Sequence, residues 1–307
     1  MPCPDKNTHP LKILLFLSTS DILNQERNLK MRINKKQTFK VFLFIGYLFC
    51  LYIGTLYFFQ YDLLFLPDKR YKSPTAISLP QFHEQRIIGP DKIAVLNWYH
   101  EGDKNKPAVL FFHGNTGQIS DFAPALVPIM NAGYSVLAME YRNFGNTDGR
   151  ISKEIVLQDA VNSFDFLKTQ GHTRIVAYGY SFGTAFASAL TSLRPIDGLI
   201  LTAPFSSLKK IVSEKPVPFA QYLLKDTYPS DTYVQNYHGP LLIVHGTKDN
   251  IIPHPHSQVL YEKSKSPQKE LHLVEGENHV SLFWYQRNIP FVLKFLHNLP
   301  DTKNTPR

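Results

Sequence analysis

Ser181, Asp249 and His279 are three side chains that together can cleave an acyl bond, and they occur along the chain in that order. A serine hydroxyl is a poor nucleophile at neutral pH. It needs a base to take its proton, a carboxylate to orient that base, and donors for the oxyanion that forms. Ser181 is the centre of Gly179-Tyr180-Ser181-Phe182-Gly183, the G-x-S-x-G pattern of a strand that runs into a helix through a very sharp turn. In such a turn the serine takes a strained backbone conformation. Gly179 and Gly183 are then needed because a Cβ at either place collides with the neighbouring strand or helix.

The stretch "FFHGNTG" offers the oxyanion donors. His113-Gly114-Asn115 turns backbone N–H groups toward a crevice, where those of Asn115 and Phe182 would form a two-donor hole. Asp249 lies in "VHGTKDNIIP", directly after an apolar run, where an orienting carboxylate is expected. Asp226 and Asp231 are alternatives that lack a preceding strand. His279, in "VEGENHVSLF", is the expected base; His272 lies within a strand, and His254 and His256 follow Pro253. The order Ser181…Asp249…His279 is the one expected for a doubly wound hydrolase.

These residues must be brought to one edge, and open α/β sheets gather their sites at the C-terminal ends of strands. Short, almost wholly apolar runs at 108–112, 135–140, 174–178, 198–202, 241–245 and 271–274 read as strands covered on both faces. Helices are expected at 119–131, 152–170, 182–193 and 255–264, with a last one from near Ser281 that kinks at Pro290. Segments 84–88 and 94–99, around Gly89-Pro90, read as an antiparallel hairpin at the sheet edge. The alternation predicts an α/β fold with a doubly wound, mainly parallel sheet. Phe205–Gly239, between two strands, is the expected position of a small lid. Its Phe219, Tyr222, Leu223, Leu224, Tyr228 and Tyr233 either line an acyl pocket or are ordinary packing.

The formal charge of +8 invites a nucleic-acid reading that its distribution excludes. Residues 1–59 carry eight Lys/Arg against three Asp/Glu, so most of the excess lies beside an apolar segment rather than on the larger domain. That segment, Val41–Phe59, has nineteen residues without a charge. As a helix it spans roughly 28 Å, close to the hydrocarbon thickness of a bilayer. Its bulky exit, Phe58-Phe59-Gln60-Tyr61, suits a retained anchor better than a cleaved signal peptide. Basic residues before the span outnumber those after it, which puts the N-terminus in the cytoplasm and the large domain on the other side. The expected organisation is a basic segment at 1–40, either disordered or, as far as Met31, an over-extended start. An anchor at 41–59, a juxtamembrane linker at 60–80 and the catalytic domain at 81–300 follow. Within it, a chain from about Tyr71 onward is expected to hold a closed core of its own. The two cysteines, Cys3 and Cys50, allow no thiolate metal site in the domain, and no metal-ligand spacing or phosphate-binding loop is present, so no cofactor is expected.

Taken together, "LFFHGNTGQISDF", "YRNFGNTDG", "GYSFGTAFA", "APFSSL" and "IVHGTKDNIIP" resemble the α/β-hydrolase superfamily over residues 80–300. The resemblance is to its single-pass, membrane-anchored Bem46-like branch, with serine aminopeptidase-like relatives. It implies a serine hydrolase with Ser181 as nucleophile, Asp249 as orienting acid and His279 as base. It also implies an esterase, thioesterase or lipase-like activity on lipid-like or acylated substrates. The competing reading is a catalytically silent member of the fold that serves as an anchored binding or morphogenesis factor.

Overall fold

The computed structural model describes residues 19–300. Residues 1–18, which include Cys3 and the start of the basic N-terminal segment, lie outside the described residues. The chain divides into two units, one ending at Thr55 and one beginning at Leu56. The described part of the first is a single helix, Thr19–Phe58, whose last turn belongs to the second. Where the sequence reading starts a helix at Val41, the structure starts it at Thr19, so residues 19–40 are helical rather than disordered. The reason is local: no proline occurs between Thr19 and Phe58, and Lys, Arg, Gln and Leu propagate a helix well. An 18-residue window of it has a mean hydropathy of 2.0, and the described helix is long and apolar enough to cross a membrane.

The second unit is a doubly wound α/β fold. Its strands are β1 (Leu66–Pro67), β2 (His83–Ile88), β3 (Ala94–His100), β4 (Ala108–Phe112), β5 (Thr116–Gly117), β6 (Val136–Met139), β7 (Ile175–Tyr180), β8 (Gly198–Thr202), β9 (Leu241–Gly246) and β10 (Lys269–Val274). Eight form one sheet in the order β10-β9-β8-β7-β4-β6-β3-β2. All neighbours from β10 to β6 run parallel, and β3 and β2 are antiparallel at the edge. The central strands β4, β7, β8 and β9 are buried at every position. This is why they read as continuous apolar runs rather than alternating ones.

Two expected helices are divided by proline. Residues 119–131 form Ile119–Phe122, a 3₁₀ segment Ala123–Leu126 and Val127–Asn131, because Pro124 and Pro128 each open a new turn. Likewise the C-terminal helix is two, His279–Trp284 and Ile289–Asn298, with Pro290 in the first turn of the second instead of at a kink. The remaining helices fall within a few residues of expectation, Lys153–Thr169 being capped by the Ser152 hydroxyl.

The largest departure is the stretch read as a juxtamembrane linker. It contains a helix, Gln60–Leu64, and the strand β1, which pairs in parallel with β5. Phe65 is buried in the core, with its ring 4.8 Å from that of Phe182 and 6.4 and 6.5 Å from those of Phe144 and Phe186. Gln60 is buried too: its amide donates to the Leu223 carbonyl and its oxygen accepts from the Lys225 N–H. The Tyr61 hydroxyl donates to Asp226 at 2.6 Å. A domain cut at Tyr71 would lose all of these, so its core does not close as the sequence suggests. Truncating a buried phenylalanine costs about 3–5 kcal/mol. Phe65→Ala should therefore lower the denaturant midpoint of the detergent-solubilised chain clearly, whereas Phe59→Ala, at an exposed ring, should leave it almost unmoved.

Candidate active site

Ser181 follows β7, the strand beside the centre of the sheet, with φ +54°, in the left-handed region that non-glycine residues avoid. The β7–β8 register ends at Tyr180 and Thr202, and the Ser181 N–H donates to the Thr202 carbonyl just beyond it. The helix Gly183–Leu190 begins two residues later. Both glycines are explained by close approach. A Cβ on Gly179 would lie 2.5 Å from the Thr184 Cα, and one on Gly183 only 2.1 Å from the Phe112 carbonyl oxygen. The helix start is thereby packed directly onto β4 and the turn after it.

The three candidate catalytic side chains meet at the C-terminal edge. His279 Nε2 lies 2.8 Å from Ser181 Oγ, and its Nδ1 lies 2.6 Å from Asp249 Oδ2. All three are buried. With an acceptor carboxylate on Nδ1, the neutral ring carries its proton there and offers Nε2 to the serine hydroxyl. Asp249 also accepts the N–H groups of Ile251 and Ile252 at 2.9 Å through Oδ1. Burial alone would raise its pKa. Hydrogen bonds from His245, from His279 and from the Ile252 N–H outweigh that and hold the carboxyl well below the usual range, so it stays ionised. Asp226 and Asp231 are committed elsewhere, to Tyr61 and to Lys263. His272 pairs with Glu270, and His256 lies against Ser206 and Glu214.

The candidate oxyanion loop is fixed from several sides. His113 is fully buried; its Nε2 lies 2.7 Å from Glu140 Oε1, and its carbonyl accepts from the Tyr141 hydroxyl at 2.7 Å. Glu140 in turn accepts the Ile119 N–H at 2.9 Å, which satisfies a carboxylate that would be costly to bury alone. Gly114 packs against Ser181, with 3.7 Å between its Cβ position and the serine Cβ. Among the described residues, the backbone N–H groups of Asn115 and Phe182 have no hydrogen-bond acceptor, which leaves both for a ligand oxygen. No group of His, Cys, Asp and Glu able to hold a metal ion occurs among the described residues.

Three supporting residues escaped the sequence reading. His245, in β9, directs Nε2 at the Ile252 carbonyl (2.8 Å) and Asp249 Oδ2 (3.2 Å), while Nδ1 takes the Ser257 hydroxyl at 2.5 Å. Two acceptors on Nε2 place the proton there, so His245 braces the same Oδ2 atom of Asp249 that His279 contacts. Tyr180 donates its hydroxyl to the His279 carbonyl at 3.0 Å and stacks on Phe283 at 4.3 Å. Asn278 caps the helix that starts at His279 by accepting the Val280 and Ser281 N–H groups. The "HGTKD" and "GENH" stretches hint at the first and third, but nothing in "GYS" signals the second.

The geometry can move a proton from a hydroxyl to an imidazole held by a carboxylate, beside two free N–H donors. Gly183→Ala should destabilise the chain by more than about 3 kcal/mol, since a backbone carbonyl cannot yield as a side chain can. Gly171→Ala, where a Cβ meets nothing within 4 Å although φ is +86°, should cost less. Thermal unfolding of the two variants checks this.

The comparisons with known proteins agree with this architecture. A family model described as alpha/beta hydrolase fold matches residues 107–224. An uncharacterized protein of Mycobacterium tuberculosis is 31% identical over 227 residues, covering 72% of this chain and 80% of the relative. Lysophosphatidylserine lipase ABHD12 of Xenopus tropicalis is 26% identical over 235 residues, covering 69% of this chain and 60% of that protein. Among solved structures, an esterase of Pyrococcus furiosus superposes with a TM-score of 0.63 at 20% identity, covering 77% of this chain and 97% of that one.

Proposed function

Because the chain belongs to the α/β-hydrolase superfamily, we propose that it is a membrane-anchored serine hydrolase that cleaves ester or thioester bonds of lipid-like or acylated substrates. The observation that carries the reading is the unbroken line of hydrogen bonds from Asp249 through His279 to Ser181, at 2.6 and 2.8 Å. In the proposed reaction Ser181 Oγ attacks the substrate carbonyl carbon while its proton passes to His279 Nε2. The carbonyl oxygen becomes an oxyanion and accepts the Asn115 and Phe182 N–H groups. When the tetrahedral intermediate collapses, the bond to the alcohol or thiol breaks and His279 returns the proton to the leaving group. Water, deprotonated by the same imidazole, then attacks the acyl-enzyme, and Ser181 is regenerated. Asp249 holds the reacting tautomer and balances the imidazolium, which suits a carboxyl that stays ionised. No step needs a metal or cofactor. The esterase and lysophosphatidylserine lipase relatives support the substrate class.

For the anchor, the support is the apolar stretch of Thr19–Phe58. We read it as one transmembrane span, with the N-terminus in the cytoplasm and the catalytic domain on the other side. Full-length protein should stay with the membrane in carbonate extraction, and protease added outside intact cells should reach the domain. Extraction into the carbonate supernatant would remove the anchor; protection of the domain would reverse its orientation.

The chemistry is tested by a fluorophosphonate probe, which forms a bond to an activated serine oxygen and expels fluoride. Wild-type protein should label, and Ser181→Ala should lose both labelling and ester hydrolysis while keeping its fold. In Asp249→Asn the imidazole loses its orienting carboxylate, and kcat should fall by about ten-thousand-fold with binding retained. Undiminished labelling of the Ser181→Ala protein would overturn the assignment.

A further inference from the structure

His256 lies at the start of the helix Pro255–Lys263, buried against the first residues of the lid. Its neighbours fix the state of its ring. The Ser206 backbone N–H donates to Nδ1 at 3.2 Å, and an N–H can only donate, so Nδ1 carries a lone pair. The single ring proton is then on Nε2, which gives it to the Glu214 carboxylate at 3.1 Å. The Ser206 hydroxyl, 2.9 Å from the same Nδ1, turns its hydrogen to become a second donor. One neutral imidazole thus fastens two points of the lid, Ser206 before the helix Leu208–Ser213 and Glu214 directly after it.

The segment held in this way lies beside Ser181 and is itself strained. It leaves β8 through Ala203 at φ +52°, and further along the lid Phe219 and Tyr228 take +64° and +41°. Residues with a Cβ stay in that region only while their surroundings hold them there. Phe205, next to Ser206, sets its ring 5.5 Å from that of Phe182, and Tyr228 packs on the same ring at 5.0 Å. The Phe182 N–H is one of the two candidate oxyanion donors. Ser257, next to His256, binds His245, which reaches Asp249. The first turn of one helix therefore supports both sides of the candidate site. At the far end of that helix Lys263 holds Asp231 at 2.6 Å, a fastening independent of the imidazole.

We propose that His256 is a pH-released clasp on the lid: while neutral it positions residues 203–214 against Phe182, and its protonation lets that segment go. A proton on Nδ1 could still meet the Ser206 hydroxyl oxygen. The Ser206 N–H would then face a donor and be left without a partner, which is worth about tenfold in the balance between held and released segment. The charged and titratable groups that face the ring are Glu214 and Lys210 of the lid and His245 of β9. Burial pushes the imidazole below its ordinary value; Glu214 pulls it back up, and His245 and Lys210 add to the depression. Glu214 itself stays ionised, because hydrogen bonds from Lys210 and His256 outweigh the upward push of burial and hold its carboxyl below the usual range. Since the imidazole is depressed, the clasp is at full strength above the ordinary value of about 6.5 and is lost as pH falls from there through the lower value of the buried ring. Only the effect on catalysis rests on the serine-hydrolase reading; the clasp does not.

Amide hydrogen exchange tests the release without any reaction. It is read on full-length, detergent-solubilised Ser181→Ala protein at about pH 7.5 and about pH 5, corrected for the intrinsic change in exchange rate. Residues 203–214 should lose about tenfold in protection at the lower pH, while β7 keeps its own. Adding His256→Gln supplies an acceptor and a donor but no titrating proton, and should preserve protection at both values. Adding Glu214→Gln removes the charge that favours the protonated ring, so release should begin at a lower pH. No loss of protection with His256 present, or the same loss with His256→Gln, overturns the proposal. With Ser181 restored, His256→Ala should slow fluorophosphonate labelling about tenfold at neutral pH, and His256→Gln should recover it. Labelling unaltered by His256→Ala overturns the link to Phe182. Absence of labelling in wild-type protein, with the exchange pattern as expected, would strike the hydrolase reading and leave the clasp standing.

Discussion

Everything at the candidate site is arranged around one residue held in an unfavourable backbone state. Ser181 sits at φ +54°, a conformation that costs about 1–3 kcal/mol for a residue with a Cβ and lasts only where its surroundings over-determine it. Here they do. Its N–H is bonded to β8, and its carbonyl accepts both the N–H and the hydroxyl of Thr184. The two glycines let the following helix lie on the Phe112 and His113 carbonyls with no room for a methyl group. The sheet order is what makes this possible, since β7 has β4 on one side and β8 on the other. A central strand buried on both faces supplies a rigid base from which a single hydroxyl can project.

The partners of that hydroxyl are held by the same logic, one element further out. Asp249 is gripped by its own loop through two N–H groups and by His245 from the adjoining strand. His279 is fixed by an asparagine cap on one side and by the Tyr180 hydroxyl on its carbonyl. Tyr180 belongs to the same turn as Ser181, so the residue that holds the imidazole in place moves with the residue the imidazole faces.

Much of this was legible in the sequence because its causes are local. Strands buried on both faces print as short apolar runs, and "GYSFG" prints a close approach through its glycines. Asp249 and His279 could be picked out because each follows such a run, though only the fold brings together residues 68 and 98 positions from Ser181. What could not be read depends on tertiary partners. Nothing in the apolarity of "QYDLLFLPD" distinguishes a tether from a packed segment, since Phe65 looks like any exposed ring until Phe144, Phe182 and Phe186 surround it. His245 resembled a strand-end histidine for the same reason. The break of the 119–131 helix was visible at Pro124 and Pro128, and the apolar periodicity around them obscured it. The N-terminal helix runs beyond the uncharged span because the charged residues from Thr19 to Lys40 propagate a helix as well as the apolar ones and no proline interrupts them.

The pairing of β1 with β5 has a consequence for how the chain can vary. Leu66 is matched to Thr116 and Pro67 to Gly117, while the side chain just before them is buried and Leu66 itself is exposed. Side chains alternate along an extended segment, so adding or deleting one residue between Phe59 and Leu66 would exchange those two environments and turn Phe65 out of the core. Connections between an apolar helix and a folded unit are ordinarily free to drift in length, because slack there costs little. This one is not. Its length is set by the candidate oxyanion loop it is stitched to, and insertions and deletions are to be expected ahead of Phe59 or in the surface turns beyond Asp68, but not in the residues between.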